Sequence, residues 1–290
     1  MRTMTTIVVL HYEKIPLTAA CCETLVTQRE KPGAVIVVDN GSPSHGEAEL
    51  RAALPPCVQI LRLPENRGFA GGMNAGMREA LRAPATDSVL FLNNDTRCPP
   101  ELLGAMRAVL AADPKVGLVG CDMEGAGGGE TAPASYRISR CFGYAMPCRP
   151  GEKPDYIQGS CLLLPRDVLE AIGGFDEDYR FFYEDADLSL RVLRLGRSFA
   201  IVPGVKIFHY GSATLGSRGI KTFEIARSSY RIFLHKWHPH PSTRALTTFL
   251  GELVFYSLTL HVRTLIQLVR GYREGRRRVR TIKEREKACE

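Results

Sequence analysis

Glu184, Asp185 and Asp187 place three carboxylates within four positions of a 290-residue chain. Such groups repel one another, so the cluster is costly unless cations or helix amides compensate. Acidic residues are favoured in the first turn of a helix. That accounts for one or two of them, Asp187 first, and less readily for all three. Another carboxylate ends FLNND at 91–95, where an apolar run delivers Asn93, Asn94 and Asp95 at its tip. Hard oxygen ligands there suit Mg²⁺ or Mn²⁺ bound to a diphosphate, although a polar turn would use the same residues. Asp39, in VVDNGS at 37–42, can accept hydrogen bonds from a ribose hydroxyl or a base N–H, or simply open an Asx turn. His209 follows an apolar run and precedes Tyr210 and Gly211. A lone histidine is more often structural, but with Asp95 nearby a metal role becomes credible.

NRGFAGGMNAG at 66–76 sets glycines ahead of a helix. Glycines there let backbone approach a ligand, and helix N-termini attract phosphate. Gly71 and Gly76 have the spacing of a phosphate-binding loop, but Met77 stands in the lysine position, which excludes that loop. Close packing of helix on strand is the other use of such glycines.

These groups need a scaffold, and the first half of the chain supplies an alternating one. Apolar runs at 6–10, 34–38, 58–63, 88–92 and 116–120 read as strands; 17–28, 71–81 and 101–112 read as helices. Alternation of this kind implies a mostly parallel sheet with right-handed crossovers. Uninterrupted apolar strands suit a sheet covered on both faces. Ligands bind beyond the carboxyl ends of such strands, where Asp39 and Asp95 fall. The Gly- and Pro-rich stretch 125–156 breaks the rhythm and reads as loops, with a flap over the site. A strand at 158–164, helices at 166–172 and 187–195 and a strand at 198–202 follow. From 220 onward the pattern is helical.

Composition narrows the class. Hydrophobic residues make up 44%, enough for a real core. The net charge of +7 favours anionic partners, and nine Lys/Arg against three Glu between Arg270 and Lys287 carry most of it. A solvated helix face laced with i,i+4 pairs would also look like this. Nine cysteines without a CxxC pair give neither a disulfide framework nor a zinc finger. A reducing cytoplasm and no signal peptide are the expectations. The stretch 246–269 is long and apolar but contains Glu252, His261, Arg263 and Gln267, which a membrane span would rarely carry. It reads as an interfacial amphipathic helix on an anionic membrane surface, or as a face packed on the catalytic part or in a homodimer.

Taken in order, VVDNGS, NRGFAGGMNAG, FLNND, IQGSCLLLPR at 157–166, GGFDE at 173–177, FYEDADLSLR at 182–191, and His209 with Gly211 and Ser212 resemble the family 2 glycosyltransferases, most of all their bacterial rhamnosyltransferase-type branch. The resemblance implies an α/β GT-A (Rossmann-like) fold, a mostly parallel sheet flanked by helices. It implies a catalytic domain at 1–219 with a helical C-terminal extension, amphipathic and basic, at 220–290. It also implies roles. Asp39 would contact the donor nucleoside with Tyr12 beside the base. Asn66, Gly68 and Asn74 would flank the nucleotide. Asn93, Asn94 and Asp95 would take the place of the family's DxD motif. Asp95 and His209 would hold Mg²⁺ or Mn²⁺, Asp185 would be the catalytic base, and Glu184 would lie near the acceptor. Two departures stand out: Asn93 replaces the first acid of DxD, and His11-Tyr12-Glu13 replaces the commoner Tyr-Asn pair.

The implied activity is inverting transfer of a sugar from a nucleotide-diphosphate donor, dTDP-L-rhamnose first. The acceptor would be a glycan or lipid-linked glycan in cell-envelope polysaccharide synthesis, at the inner face of the plasma membrane. UDP-galactose, UDP-glucose and their N-acetyl relatives stay open as donors. A sugar nucleotidyltransferase would need a glycine-rich basic loop after the first strand, and residues 11–16 contain no glycine. A non-catalytic sugar-binding protein would have no need of Asp185. No nucleic-acid-binding motif accompanies the basic tail.

Overall fold

The computed structural model describes residues 4–125, 131–139, 144–149, 152–211, 220–259 and 261–289. Ser212 of the last motif, residue 219 at the expected boundary and parts of 125–156 lie outside them.

The first half follows the alternating pattern. Strand β1 (Met4–His11) leads into α1 (Ile15–Val26), β2 (Ala34–Asp39), α2 (Glu47–Ala53), β3 (Gln59–Arg62), α3 (Gly68–Leu81) and β4 (Thr86–Asn93). Next come β5 (Thr96–Arg97), α4 (Leu102–Ala112) and β6 (Val116–Gly125). The short strands β7 (Thr131–Ala132), β8 (Ser135–Ile138), β9 (Ala145–Pro147) and β10 (Tyr156–Ile157) precede β11 (Cys161–Pro165), α5 (Arg166–Ile172), α6 (Glu184–Arg194) and β12 (Ser198–His209). The main sheet runs β3-β2-β1-β4-β11-β6-β12-β5, with β7 on β6. Strands β1, β2, β3, β4, β6 and β12 share one direction, whereas β11, β5 and β7 run against it.

The apolar runs are continuous because both faces are covered. Strand side chains alternate between faces. Ile7, Val9, Val37, Leu90 and Leu92 join one core with residues of α1 and α4. Val8, Ile36, Val38, Val89 and Phe91 join the other with residues of α3, α5 and α6. The glycines of α3 serve the second core. A Cβ on Gly76 would lie 2.3 Å from Val8 Cγ1, and one on Gly72 would lie 2.4 Å from Leu10 Cδ1. They let α3 press onto β1, the packing use of the motif.

The 125–156 stretch, expected to be loops, contains β7, β8 and β9. Strands β10, β8 and β9 form a separate three-stranded antiparallel sheet. Its pairs are only two or three residues long, too short for alternation to register.

The C-terminal part is helical, as expected, but 246–269 is not one helix. It divides into α8 (Pro241–Leu258) and α9 (Val262–Cys289), after α7 (Ile220–Trp237). His261 N donates to Tyr256 O at 3.0 Å, closing the bend. Reversal brings Gly271 and Gly275 of α9 against Glu224 and Ser228 of α7, so closely that a Cβ on Gly271 would sit 2.6 Å from Glu224 O. The break also resets the helical rotation. Glu252 points inward to Arg227 at 3.0 Å, while Arg263 and Arg270 are exposed. Part of the basic tail is docked: Arg285 pairs with Asp178, which Lys236 of α7 also holds, and Arg278 donates to its carbonyl. Among the described residues no helix is long and apolar enough to cross a membrane.

Candidate active site

The carboxyl ends of β1 and β4 open onto a cavity of about 460 Å³, within the usual range for small-molecule sites. Tyr12, Asn93, Asn94, Asp95, Glu184, Asp185 and His209 line it. Side chains distant in sequence meet there because short strands carry them in. Strand β5, just beyond Asp95, pairs antiparallel with the end of β12, putting His209 opposite Thr96. Tyr210 N donates to Asp95 O at 3.0 Å, and His209 Nε2 lies 3.0 Å from Asp95 Oδ1 and 3.5 Å from Asn93 Nδ2.

The reversed strand β11 delivers the opposite wall. Asn93 N donates to Ser160 O at 3.1 Å, and Gly159 N donates to Asp185 Oδ2 at 2.9 Å. Ala186 N donates to Asp185 Oδ1 at 2.8 Å. Asp185 is thereby fixed to the tip of β4 through two residues. Burial nevertheless raises its carboxyl above the usual aspartate range, against those amide hydrogen bonds.

Phe182 and Tyr183 both have φ of 69°. The left-handed region costs a side-chain-bearing residue about 1–2 kcal/mol. Packing from α7 holds the pair there: Tyr183 lies against Tyr230 and Phe233, and Ser229 Oγ donates to Phe181 O at 2.8 Å. The turn starts α6 at Glu184, so that Glu184 and Asp185 both line the cavity. Glu184 is only 6% exposed, and its Oε2 has no hydrogen-bond partner among the described residues. Burial first, then the charge of Asp185, push its carboxyl well above the ordinary value.

Asp187 does not cap α6. Its carboxylate binds Arg191 Nε at 2.7 Å and accepts from Trp237 Nε1 at 2.8 Å, tying α7 to α6. The three carboxylates thus divide: one structural and two on the cavity.

Four expected donor residues stand outside the lining. Asp39 is fully buried, held by Arg62 Nη1 at 2.6 Å and by Ser42 N at 3.1 Å. Asn66 Oδ1 accepts from Gly68 N at 2.9 Å. Gly68 O accepts from Asn40 Nδ2, also at 2.9 Å. Asn74 spends its amide on both backbone groups of Phe175 and on Glu177. It fastens GGFDE to α3.

Sequence reasoning missed Arg62, Asn40, Tyr136, Tyr156, Gln158, Gly159 and His45. IQGS marked Gln158 and Gly159 as part of a motif without a role. Arg62 carried no signal, because only the β2–β3 register places it beside Asp39.

Among the described residues, His11, Asp39 and His45 form a group that could hold a metal ion. Its atoms already have partners. Gly46 O can only accept, so His45 Nδ1 donates to it at 3.2 Å. His45 Nε2 then accepts from His11 Nε2 at 2.9 Å, and His11 Nδ1 accepts from Thr18 Oγ1 at 2.6 Å. Asn94 Nδ2 donates to the same hydroxyl at 2.9 Å. Burial lowers the His11 pKa to about 4, keeping that ring neutral. Arg62 occupies Asp39 and would repel a cation. Asp95 and His209, paired with each other, bring a hard oxygen and an imidazole nitrogen to the cavity wall together.

Comparison with known proteins agrees with this architecture. The model of the family described as "Glycosyl transferase family 2" matches residues 6–173. The chain is 24% identical over 260 residues to N-acetylglucosaminyl-diphospho-decaprenol L-rhamnosyltransferase of Mycobacterium tuberculosis, covering 80% of this chain and 84% of that protein. It is 28% identical over 171 residues to the low-salt glycan biosynthesis hexosyltransferase Agl10 of Haloferax volcanii, covering 55% of this chain and 53% of that one. In fold it resembles the mannosyltransferase PcManGT of Pyrobaculum calidifontis, solved with GDP-Man and Mn²⁺. There the TM-score is 0.58 at 17% identity, over 95% of this chain and 87% of the other.

Proposed function

This chain belongs to glycosyl transferase family 2, and we propose that it is an inverting transferase that moves a sugar, L-rhamnose first, from a nucleoside diphosphate to an acceptor hydroxyl on a lipid-linked glycan. One observation carries the reading: Asp95, His209 and Asp185 line a single cavity, with Asp185 fastened through Gly159 and Ser160 to the strand that ends beside Asp95. The rhamnosyltransferase relative supports the donor and the lipid-linked acceptor.

Asp185 takes the proton of the acceptor hydroxyl as that oxygen attacks the anomeric carbon. The new C–O bond forms as the bond to the diphosphate breaks, and the electron pair leaves with the phosphate oxygen. Burial and the Asp185 charge favour the protonated form of Glu184, which leaves Asp185 as the single base, and direct displacement inverts the anomeric centre. Glu184 O–H donates to the acceptor. Asp95 and His209 would hold Mn²⁺ or Mg²⁺, and the bound ion would stabilise charge on the leaving diphosphate. Tyr12, Asn93 and Asn94 line the donor end, while Asp39, Asn66, Gly68 and Asn74 shape the loops behind it.

A thermal-shift screen of nucleotide sugars with Mn²⁺ or Mg²⁺ tests the donor, since a ligand that binds only the folded chain raises its stability. The largest shift is expected with dTDP-L-rhamnose, and a larger one with a UDP-hexose would replace that donor. Asp185→Asn should keep the donor shift and lose about 10²–10⁴-fold in transfer. Full turnover by that variant would remove Asp185 from the mechanism.

A further inference from the structure

The C-terminal helices present a surface that the cavity does not use. Leu246, Leu250, Val254 and Leu258 recur every four positions along α8, and all are exposed. Val262 and Ile266 continue the exposed apolar row on the first turns of α9. Exposure climbs from 47% at Leu246 to 79% at Leu258, so the tip of the α8–α9 hairpin is its least covered part. Contiguous apolar surface of this extent on a monomer marks an interaction site. The opposite face of α8 is already occupied. Glu252 pairs with Arg227 of α7 and accepts from Tyr144, while Tyr256 packs edge-on to Phe223.

Charge selects the partner. Between 241 and 273 the one carboxylate in the sequence is Glu252, and it points inward. Arg263, Arg270 and Arg273 are exposed on the same hairpin. A second copy docking through this face would bring a cationic rim and no acid to answer it. A bilayer with anionic headgroups offers both an apolar interior and phosphates for the arginines.

We propose that the α8–α9 hairpin docks on an anionic lipid surface, its apolar tip entering the boundary between headgroups and acyl chains. Ala226 lines the cavity and its neighbour Arg227 grips α8. The lipid-facing row therefore lies across α7 and α8 from the cavity, each helix about 10 Å in diameter with its side chains. An acceptor carried on a lipid would reach Asp185 while its tail stays in the membrane. That consequence rests on the transfer reading; the docking rests on the surface alone.

Co-sedimentation of the full chain with phosphatidylcholine vesicles, and with mixed phosphatidylcholine–phosphatidylglycerol vesicles, tests it without any sugar donor. The chain is expected to bind mixed vesicles at least about ten-fold more tightly than neutral ones. The variants L250Q/V254Q/L258Q and R263Q/R270Q/R273Q are each expected to lose about ten-fold or more on mixed vesicles. Both alter exposed positions, so their circular dichroism should match that of the parent chain. Equal vesicle binding by the parent and the apolar variant would overturn the proposal. So would a parent dimer that the apolar variant splits while neither binds vesicles. Loss of transfer to a lipid-linked acceptor but not to a short soluble one would confirm the geometric consequence.

Discussion

Replacing Glu184 with glutamine isolates the buried proton at the heart of the site. Glu184 Oε2 has no hydrogen-bond partner among the described residues, and burial with the Asp185 charge drives its carboxyl well above the ordinary value. In the unfolded chain a glutamate releases its proton near pH ~4.3. Above that pH and below the folded pKa, the folded chain holds a proton that the unfolded chain lacks. Within that window stability falls as pH rises, with a limiting slope of about 1.4 kcal/mol per pH unit. Glutamine carries no such proton. Its amide still needs partners, but that cost is the same at every pH. Glu184→Gln should therefore gain on the parent by up to about 1.4 kcal/mol for each pH unit within that window, whatever its standing at the lower pH. Urea unfolding of both chains at matched pH values measures this directly. Asp185 shares the titration, so the slope belongs to the pair and the variant removes one of its two sites. Parallel stability curves would mean that Glu184 titrates alike folded and unfolded, and the account of a retained proton would fail.

If Asp185 is the base, its raised carboxyl in the unliganded chain should set the acid limb of kcat/KM. A base must be ionised, so transfer should fall as pH drops through a value above the ordinary aspartate range, and a limb at or below that range would point to another group. His209→Ala leaves Asp95 without its imidazole neighbour at 3.0 Å. It should weaken Mn²⁺-dependent stabilisation by at least about ten-fold, whereas an unchanged Mn²⁺ titration would place the ion elsewhere. Trp237→Phe removes the N–H that donates to buried Asp187 at 2.8 Å. A hydrogen bond to a charged group contributes about 1.5–3 kcal/mol, so denaturant unfolding should show a loss of that order, and none at all would mean that Arg191 and Tyr179 suffice to hold Asp187.

Most of the scaffold was legible because its signals are local. Apolar runs such as that at 34–38 sit on strands buried on both faces, and the turn after Asp39 ends β2. Asp95 and His209 could be named from their strand-tip contexts, whereas Asp185 stood out from its acidic cluster only through the family resemblance. Relations fixed by packing were hidden. Asp187 looks like a helix-start acid, and only the return of Trp237 from α7 gives it another task. Arg62 reaches Asp39 by strand register. The glycines at 72 and 76 suit a phosphate as well as a packed strand, and the choice depends on how near β1 lies. The 246–269 stretch read as one helix because its apolar residues run through the bend, and neither Gly nor Pro marks the break between Leu258 and Val262.

The direction of β11 explains why these residues can share one cavity. In a purely parallel sheet, every strand presents its carboxyl end to the ligand edge, and the helix that follows must start there. Strand β11 enters the sheet in reverse between β4 and β6. Its leading residues, Gly159 and Ser160, therefore lie at that same edge beside Asn93. A backbone amide arriving at the tip of β4 can then fix a carboxylate from α6, which itself starts at the strained Phe182–Tyr183 turn. A side chain on Gly159 would crowd the Cβ of Asp185 at 3.3 Å. One reversed strand thus joins the Asp95–His209 end to the Asp185 end through backbone alone. Of the residues that line the cavity, the one expected to move the proton is among the most firmly tethered.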